Sequence, residues 1–420
     1  MLQVLSSAWA LLLGLCLLMI GNGLQGTLLG VRGNIEGFTT LELSLVMSAY
    51  FIGFLGGSRM APEMIRRVGH VRVFAALASL ISSVFILYPV LPSPIYWILG
   101  RIVIGFCFSG VYVTAESWLN NAADNANRGK ALSLYMITMM LGVVASQAVM
   151  LIADPSGYET FIIASVLISI SFAPILLSIS PTPAFESTKP KSLREIMEIS
   201  PLGCVGMFFL GGVYSAQFGM GAVYGAQAGL SVLQISIFVG TFYVGALLLQ
   251  YPIGWVSDRM DRRQLIMIVS LAGGAASVLG MLLGGSYTLL LVSAFIVGGT
   301  TNPLYSLLIA HTNDYLEHED MAAASGGLVF INGLGAVAGP LLTGWIMSDA
   351  AFGPPGYFLF LGALLFAVTV YAGYRMTQRA SVPVADTSGI SPMTPVATPM
   401  AVEFAQEASF EAEHGEQDTV

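Results

Sequence analysis

The chain has 420 residues, of which 55% are hydrophobic and 10% charged, and its mean hydropathy is +0.79. Soluble globular domains carry about 25% charged residues, so this composition excludes that class and indicates a polytopic membrane protein. The net charge of −8 arises in the last 41 residues, which hold seven acids and no lysine or arginine; the rest is nearly neutral and has no basic patch, so nucleic acid is not a predicted partner.

Twelve apolar stretches are each long enough to cross a bilayer whose hydrocarbon core is about 30 Å thick. We interpret the first as a transmembrane helix and not as a signal peptide, because no lysine or arginine precedes it and the apolar pattern continues past Leu29. Proline and glycine residues mark several of the breaks between stretches. The predicted spans are 5–31, 40–60, 71–91, 94–119, 129–153, 158–179, 201–227, 232–256, 264–284, 286–312, 322–348 and 356–376.

A polar link between spans six and seven divides these spans into two sets of six. The sequence therefore predicts an all-α membrane protein with twelve transmembrane helices in two six-helix bundles with inverted repeats. The predicted parts are an N-terminal bundle at 1–179, a cytoplasmic linker at 180–200, a C-terminal bundle at 201–376 and a tail at 377–420. The tail is rich in Ser, Thr, Pro and acids, so we expect it to be disordered, acidic and cytoplasmic.

The lysine and arginine residues are distributed unevenly between the two sides of the predicted membrane. If the N-terminus is inside, 14 of the 16 lie in cytoplasmic segments, one lies in an outer loop, and Arg101 lies within a span. Because cytoplasmic segments carry an excess of these residues, we predict that both termini are cytoplasmic.

One of these cytoplasmic segments is a charged run at Gly254–Arg263, between two long apolar spans. A similar but degenerate run, Pro62–Arg72, lies 192 residues earlier. Charges are expensive near a bilayer unless they mark a turn at its surface. Two copies at this offset predict a duplicated, two-bundle transporter.

The run at Gly254–Arg263 resembles the signature that the major facilitator superfamily carries between its second and third helices, with Asp261 where glycine is usual. In that family the loop latches the cytoplasmic gate, which implies the same role here. The run at Pro62–Arg72 has Arg66 at the position of the usual aspartate. We therefore expect the partner of Arg66 to be Glu63 or an acid after span ten. The predicted gate residues are Arg66, Arg67, Gly69, Arg72, Glu116, Arg128, Gly254, Asp258, Arg259, Arg262 and Arg263.

Span four carries Gly100–Gly105 around Arg101, and this string resembles the family motif whose buried arginine is associated with proton coupling. Charges within spans are rare and usually functional. Family packing implies that Asn22 and Gln25 are neighbours of Arg101. The strings Asn22–Arg32 and Ala115–Asn120 further resemble the bacterial YcaD-like branch, which implies the cytoplasmic (inner) membrane of a bacterium.

Polar residues within apolar spans are the candidates for a substrate cavity at the membrane midplane. Each could instead make a hydrogen bond between helices. Among the mid-span residues only Arg101 could neutralise an anion, and no carboxylate is placed to neutralise a cation. The predicted cavity residues are Asn22, Gln25, Tyr50, Tyr135, Gln147, Gln217, Tyr243, Gln250, Asn302, Tyr305 and Asn332.

These features predict a secondary active transporter that moves a small organic solute by alternating access, as proton-coupled efflux. The alternatives are proton-coupled symport of a small polar or anionic metabolite, and a transporter-like receptor or scaffold. The predicted partners are the solute, protons and the lipid bilayer, and the protein is expected to be a monomer. The sequence has no GxxxxGK[ST] loop and no catalytic or metal-binding cluster, so we predict neither an enzyme nor a cofactor or metal.

Overall fold

The structure is a computed structural model that describes residues 2–122, 127–177, 192–348, 350–380, 382–383, 387, 393 and 398–407. Most of the predicted linker, 178–191, and the end of the tail, 408–420, lie outside these residues. The described residues form α-helices and connecting turns, with no strand among them. The helices are α1 (Leu2–Ile35), α2 (Thr40–Val68), α3 (His70–Val90), α4 (Pro94–Ala122), α5 (Arg128–Val149), α6 (Glu159–Ser171), α7 (Ala173–Leu177), α8 (Leu193–Ile199), α9 (Pro201–Gln227), α10 (Val232–Ser257), α11 (Arg262–Leu283), α12 (Tyr287–Asn313), α13 (His318–Ile346) and α14 (Gly356–Gln378).

Twelve helical segments of the described chain are long and apolar enough to cross a membrane, with α6 and α7 together forming one of them. The predicted all-α fold with twelve spans is therefore confirmed. Large apolar side chains such as Leu99, Leu248 and Val370 are more than half exposed on the outer surface of the bundle. Exposed apolar surface of this extent suits contact with lipid.

Local sequence signals define where several helices begin. The side chain of Thr39 caps the N-terminus of α2 and Glu42 bonds back to the Thr39 backbone, so both halves of a capping box are present. Ser231 and Gln234 form the same arrangement at the start of α10. Each box satisfies two backbone donors that the first turn of a helix leaves free.

The second helix is longer than the sequence predicted. The expected span ended at residue 60, before Pro62, but α2 continues through Pro62 to Val68. In the added turns Glu63 pairs with Arg66 and with Arg67, at spacings of three and four residues. Such pairs support a helix surface, so the charged motif extends α2 beyond its apolar part.

The same packing pattern occurs in both sets of spans. In the first set α1 packs on α5, α2 packs on α4, and α3 packs on both α4 and α6. In the second set α9 packs on α13, α10 packs on α12, and α11 packs on both α12 and α14. We call these sets the first half and the second half.

The two halves meet through α1 with α9, α2 with α13, and α5 with α10. We call the end of the bundle where α2 and α10 finish the tail end, and the end where they begin the opposite end. At the opposite end the halves touch directly: the Gln227 amide donates to the Thr40 hydroxyl. Nearer the middle, the Ser48 hydroxyl donates to the carbonyl of Val337 at 2.6 Å. The two halves are therefore in contact at the opposite end.

The tail differs from the expectation that it is disordered. Residues 399–407 form a helix, the tail helix, and Ala401, Val402 and Phe404 in it are fully buried. The composition of the tail as a whole favours disorder, but this short stretch is apolar enough to be buried against the bundle. The tail helix lies between the halves at the tail end.

Glycines allow α2 and α4 to approach closely. A Cβ atom on Gly105 would overlap the carbonyl oxygen of Tyr50, and one on Gly53 would overlap that of Ile102. We expect Gly105→Ala to lower the free energy of unfolding by about 1–3 kcal/mol, because helix backbones would have to separate. Thermal unfolding in detergent measures this effect. Gly285→Ala is the control, since a Cβ there meets open space; equal stability of the two variants would contradict the prediction.

Candidate functional site

A cavity lies between the two halves, near the middle of the helices. It is lined by side chains of α1, α2, α4 and α5 from the first half and of α9, α10 and α12 from the second. Six of the polar residues singled out in the sequence line it, and these are Asn22, Gln25, Tyr50, Arg101, Tyr243 and Asn302. A polar cavity at the junction of two helical halves is the usual site for solute binding in a transporter.

The charged group of this cavity is Arg101 on α4, whose side chain is buried, with 4% of the residue exposed. Its Nε donates to the carbonyl of Val46 at 3.4 Å, and Nη2 contacts the Met47 sulfur at 3.6 Å. The guanidinium carbon lies 4.8 Å from the centre of the Tyr50 ring. Nη1 is buried and has no hydrogen-bond partner among the described residues, and no ion pair there includes Arg101. Nη1 could therefore donate a hydrogen bond to an acceptor on a solute.

A chain of hydrogen bonds forms the wall next to Arg101. The Gln25 amide donates to Asn22 Oδ1 at 2.7 Å, and the Asn22 amide donates to the Tyr112 hydroxyl at 2.7 Å. The Tyr50 hydroxyl donates to Asn22 Oδ1 at 3.5 Å, so Tyr50 lies between this chain and Arg101. The expected proximity of Arg101, Asn22 and Gln25 thus takes the form of one shared cavity, and not of direct bonds.

Aromatic side chains form the wall on the second half. The rings of Tyr214 and Phe218 have centres 4.3 Å apart, and Phe218 stacks on Tyr243 at 4.5 Å. Sequence reasoning missed Tyr214 and Phe218, because aromatic residues four apart in an apolar span are typical of ordinary packing. Their spacing on one face of α9 was the available signal.

A second polar cluster lies along α4 towards the tail end. Glu116 is 1% exposed, and its carboxylate accepts hydrogen bonds from the Tyr135 hydroxyl at 2.7 Å and from the Thr398 hydroxyl of the tail. It lies fifteen residues, or about 22 Å of helix, from Arg101. Arg128, another predicted gate residue, pairs with Glu407 of the tail at 3.3 Å.

The model of the Major Facilitator Superfamily matches residues 11–223 and 202–404 of this sequence. The chain belongs to the major facilitator superfamily. It is a multi-pass membrane protein of a transporter family.

Two relatives in this superfamily carry the description of uncharacterized MFS-type transporter. YcaD of Escherichia fergusonii is 24% identical over 340 residues, which cover 80% of this chain and 88% of the relative. YfkF of Bacillus subtilis is 25% identical over 354 residues, with coverage of 80% and 88%. These matches support the resemblance to the YcaD-like branch.

Solved superfamily members share the fold. The nucleoside transporter NupG aligns with a TM-score of 0.69 and 13% identity, over 90% of this chain and all of its own. A bacterial homologue of the lysosomal transporter Spinster aligns with a TM-score of 0.65 and 16% identity, over 96% of each chain. A D-xylose–proton symporter aligns with a TM-score of 0.64 and 15% identity, over 86% of this chain and 95% of its own.

The superfamily motif at the start of α11 is anchored within the second half. Arg262 is buried and pairs with the carboxylate of Asp314, at the end of α12, and its Nη1 also donates to the Ala310 carbonyl at 3.2 Å. Asp258, expected to supply the charge of the latch, is exposed at the end of α10. The buried acid at this site is therefore Asp314, which sequence reasoning had offered only as a partner for Arg66.

The other motif charges have short-range partners. Arg263 pairs with Asp261 at 3.0 Å. Burial alone would raise the pKa of the Asp261 carboxyl, but hydrogen bonds from Arg263 and its charge outweigh this effect and hold the pKa below its usual value. Arg66 and Arg67 both pair with Glu63, one of the partners expected for Arg66. The remaining predicted gate residues make no ion pair across the halves among the described residues; these are Gly69, Arg72, Gly254 and Arg259.

Six predicted cavity residues are not among those that line this cavity. They are Tyr135, Gln147, Gln217, Gln250, Tyr305 and Asn332. Most bond to a neighbouring helix: Gln147 accepts from Thr27 at 3.1 Å, and Asn332 donates to the carbonyl of Met207 at 3.0 Å. Polar groups inside a bundle serve this purpose as readily as they bind a solute.

Proposed function

We propose that the chain is a secondary active transporter that exports an amphipathic organic anion by alternating access, coupled to protons. The observation that carries this proposal is the buried Arg101, whose Nη1 has no hydrogen-bond partner among the described residues and which lines the cavity between the halves. A buried cation without a counter-ion is unfavourable, so a solute that supplies an acceptor for Nη1 would be bound there.

The remainder of the cavity suits an aromatic or apolar body on the same solute. Tyr214, Phe218 and Tyr243 present ring faces and edges from the second half. Aromatic groups gain from stacked and edge-on contacts of this kind. No carboxylate is among the residues that line the cavity in the described structure, which favours an anionic over a cationic solute.

The charge distribution supports a location in the inner membrane with the tail end in the cytoplasm. Most lysine and arginine residues outside the spans lie at that end, as the positive-inside rule requires. In this proposal the bundles at 1–179 and 201–376 move as units joined by the linker at 180–200. The protein acts as a monomer, since one chain forms the whole cavity.

A binding panel tests the proposal. Purified protein is heated with aromatic carboxylates and with the primary amides of the same ring systems. We expect a carboxylate to raise the apparent melting temperature, because a ligand of the folded state stabilises it, by about 2.7 kcal/mol at a hundredfold excess over Kd. A carboxylate that binds should then leave proteoliposomes faster when a proton gradient is imposed. Equal stabilisation by carboxylates and amides, or by organic cations, would contradict the proposal.

A further inference from the structure

The tail occupies the space between the two halves at the tail end. Thr398, Ala401, Val402 and Phe404 are fully buried although they lie beyond the last transmembrane helix. Met400, Ala401, Phe404 and Ala405 follow the spacing of neighbouring positions on one helix face, and all four are buried. The tail helix is thus packed as a core element would be, and not laid on the surface.

The first half binds this segment through polar groups on α4 and α5. The hydroxyl of Thr398 donates to the carboxylate of Glu116. At the other end of the tail helix, Glu407 accepts from the Asn120 amide at 3.1 Å and pairs with Arg128 at 3.3 Å. A buried carboxylate needs donors, and among the described residues the tail supplies one of the two side-chain donors to Glu116.

The second half binds the same segment through α12 and α13. The backbone N–H of Met393 donates to Ser306 Oγ at 2.9 Å, and the Ser306 hydroxyl donates to the Met393 carbonyl at 3.3 Å. Gln406 donates to the Ser325 hydroxyl at 2.7 Å. The segment is therefore bonded to both halves at once.

The position of this segment bears on the transport cycle. Ser306 lies seven residues, or about 10 Å of helix, inside the tail end of α12 and four residues from the cavity residue Asn302. The halves already touch at the opposite end, where the Gln227 amide donates to the Thr40 hydroxyl. For the cavity to open there, the halves must close at the tail end, in the space that the tail fills.

We propose that Met393 and residues 398–407 are an intramolecular ligand of the inter-half space at the tail end. Their docking keeps the two halves apart at that end and blocks the path from the cavity. The docking itself is independent of any solute. Its effect on the cycle rests on the alternating access of the proposed function. The tail must leave before the halves can rock, so anything that binds the free tail would activate transport.

Cysteine labelling in the full-length protein tests the docking. The three native cysteines, Cys16, Cys107 and Cys204, are replaced by alanine, and a single cysteine is introduced by Ala401→Cys. We expect a bulky maleimide to label it at least tenfold more slowly than the matched control Thr377→Cys, which is exposed at the end of α14. Adding Phe404→Asp should bring the rate close to that of the control, because a carboxylate cannot occupy the buried site. Equal labelling of the Ala401→Cys and Thr377→Cys proteins would overturn the docking.

A second cysteine separates the docking from its consequence. Ser44 is buried where α2 meets α13 at the opposite end. Release of the tail by Phe404→Asp should raise the labelling rate of Ser44→Cys several-fold, because the halves can then open there. If the tail is released and this rate does not change, the block on the cycle is refuted. Neither measurement uses a solute, so failure of the solute panel would count against the proposed cargo and leave these results standing.

Discussion

Replacing Arg101 with methionine is expected to weaken the binding of a stabilising aromatic carboxylate by about 10- to 100-fold. The guanidinium has one buried N–H group without a partner in the described structure, and a solute carboxylate would accept from it. Hydrogen bonds to charged groups contribute about 1.5–3 kcal/mol, which corresponds to this range in Kd. The Kd is measured by titration of the purified variant, and proton-coupled flux in proteoliposomes should be lost with it.

The melting temperature of the protein without ligand shows whether a variant acts on binding or on folding. Arg32 is another buried arginine of the first half, but it pairs with Glu36 and donates to the carbonyls of Pro155 and Gly157. We expect Arg32→Met to lower the free energy of unfolding by about 1–3 kcal/mol and to leave the Kd unchanged. Arg101→Met should leave the unliganded melting temperature unchanged or raised, because it removes a buried charge without a counter-ion. If both variants lose stability alike and bind alike, Arg101 has a structural role only.

The helices of this protein could be predicted from sequence because each span is a local signal. About twenty apolar residues identify a transmembrane span whatever surrounds them. The unequal distribution of Lys and Arg between the two sides of the membrane predicts the direction of each span. The capping pairs Thr39 with Glu42 and Ser231 with Gln234 also lie within four residues of each other. Where a boundary was wrong, at the end of α2, the signal was local as well, in the ion pairs of Glu63.

The cavity could be predicted only in part, because a polar residue in a span can face any of several neighbours. Asn22 and Asn332 look alike in sequence, yet Asn22 lines the cavity and Asn332 donates to the backbone of α9. The choice depends on the rotation of each helix against its partners, which no short window of sequence contains. The same limit explains why sequence reasoning chose Asp258, and not Asp314, as the acid of the gate motif. Asp314 pairs with Arg262 but lies at the end of α12, which is distant in sequence from the motif.

The tail shows a different limit. Its overall composition predicts disorder, and composition averages over the short apolar stretch around Phe404. In the structure that stretch is a helix in the space between the two halves, where Glu116 and Ser325 bond its polar groups. Prediction of such a docked segment requires the shape of the space as well as the sequence of the segment.

The ion pair of Arg262 and Asp314 is expected to be the most sensitive charged site for stability. Both side chains are almost completely buried, at 2% and 3% exposure, and the pair joins the start of α11 to the end of α12. Replacing one partner leaves the other charge buried without the counter-ion of this pair, and breaking a buried pair in this way costs about 3–5 kcal/mol. We therefore expect Arg262→Met and Asp314→Leu each to lower the apparent melting temperature in detergent by several degrees.

This experiment needs two further variants, the double variant of the buried pair and a variant that breaks an exposed pair. Because apolar residues can replace a buried pair with little loss, the combined Arg262→Met and Asp314→Leu protein should be more stable than either single variant. Glu63→Gln, which breaks the exposed pairs with Arg66 and Arg67, should leave the melting temperature almost unchanged. Additive losses in the double variant would mean that the two side chains stabilise the fold independently. The motif would then hold α11 and α12 together by packing, and its charges would be free to act in the gate.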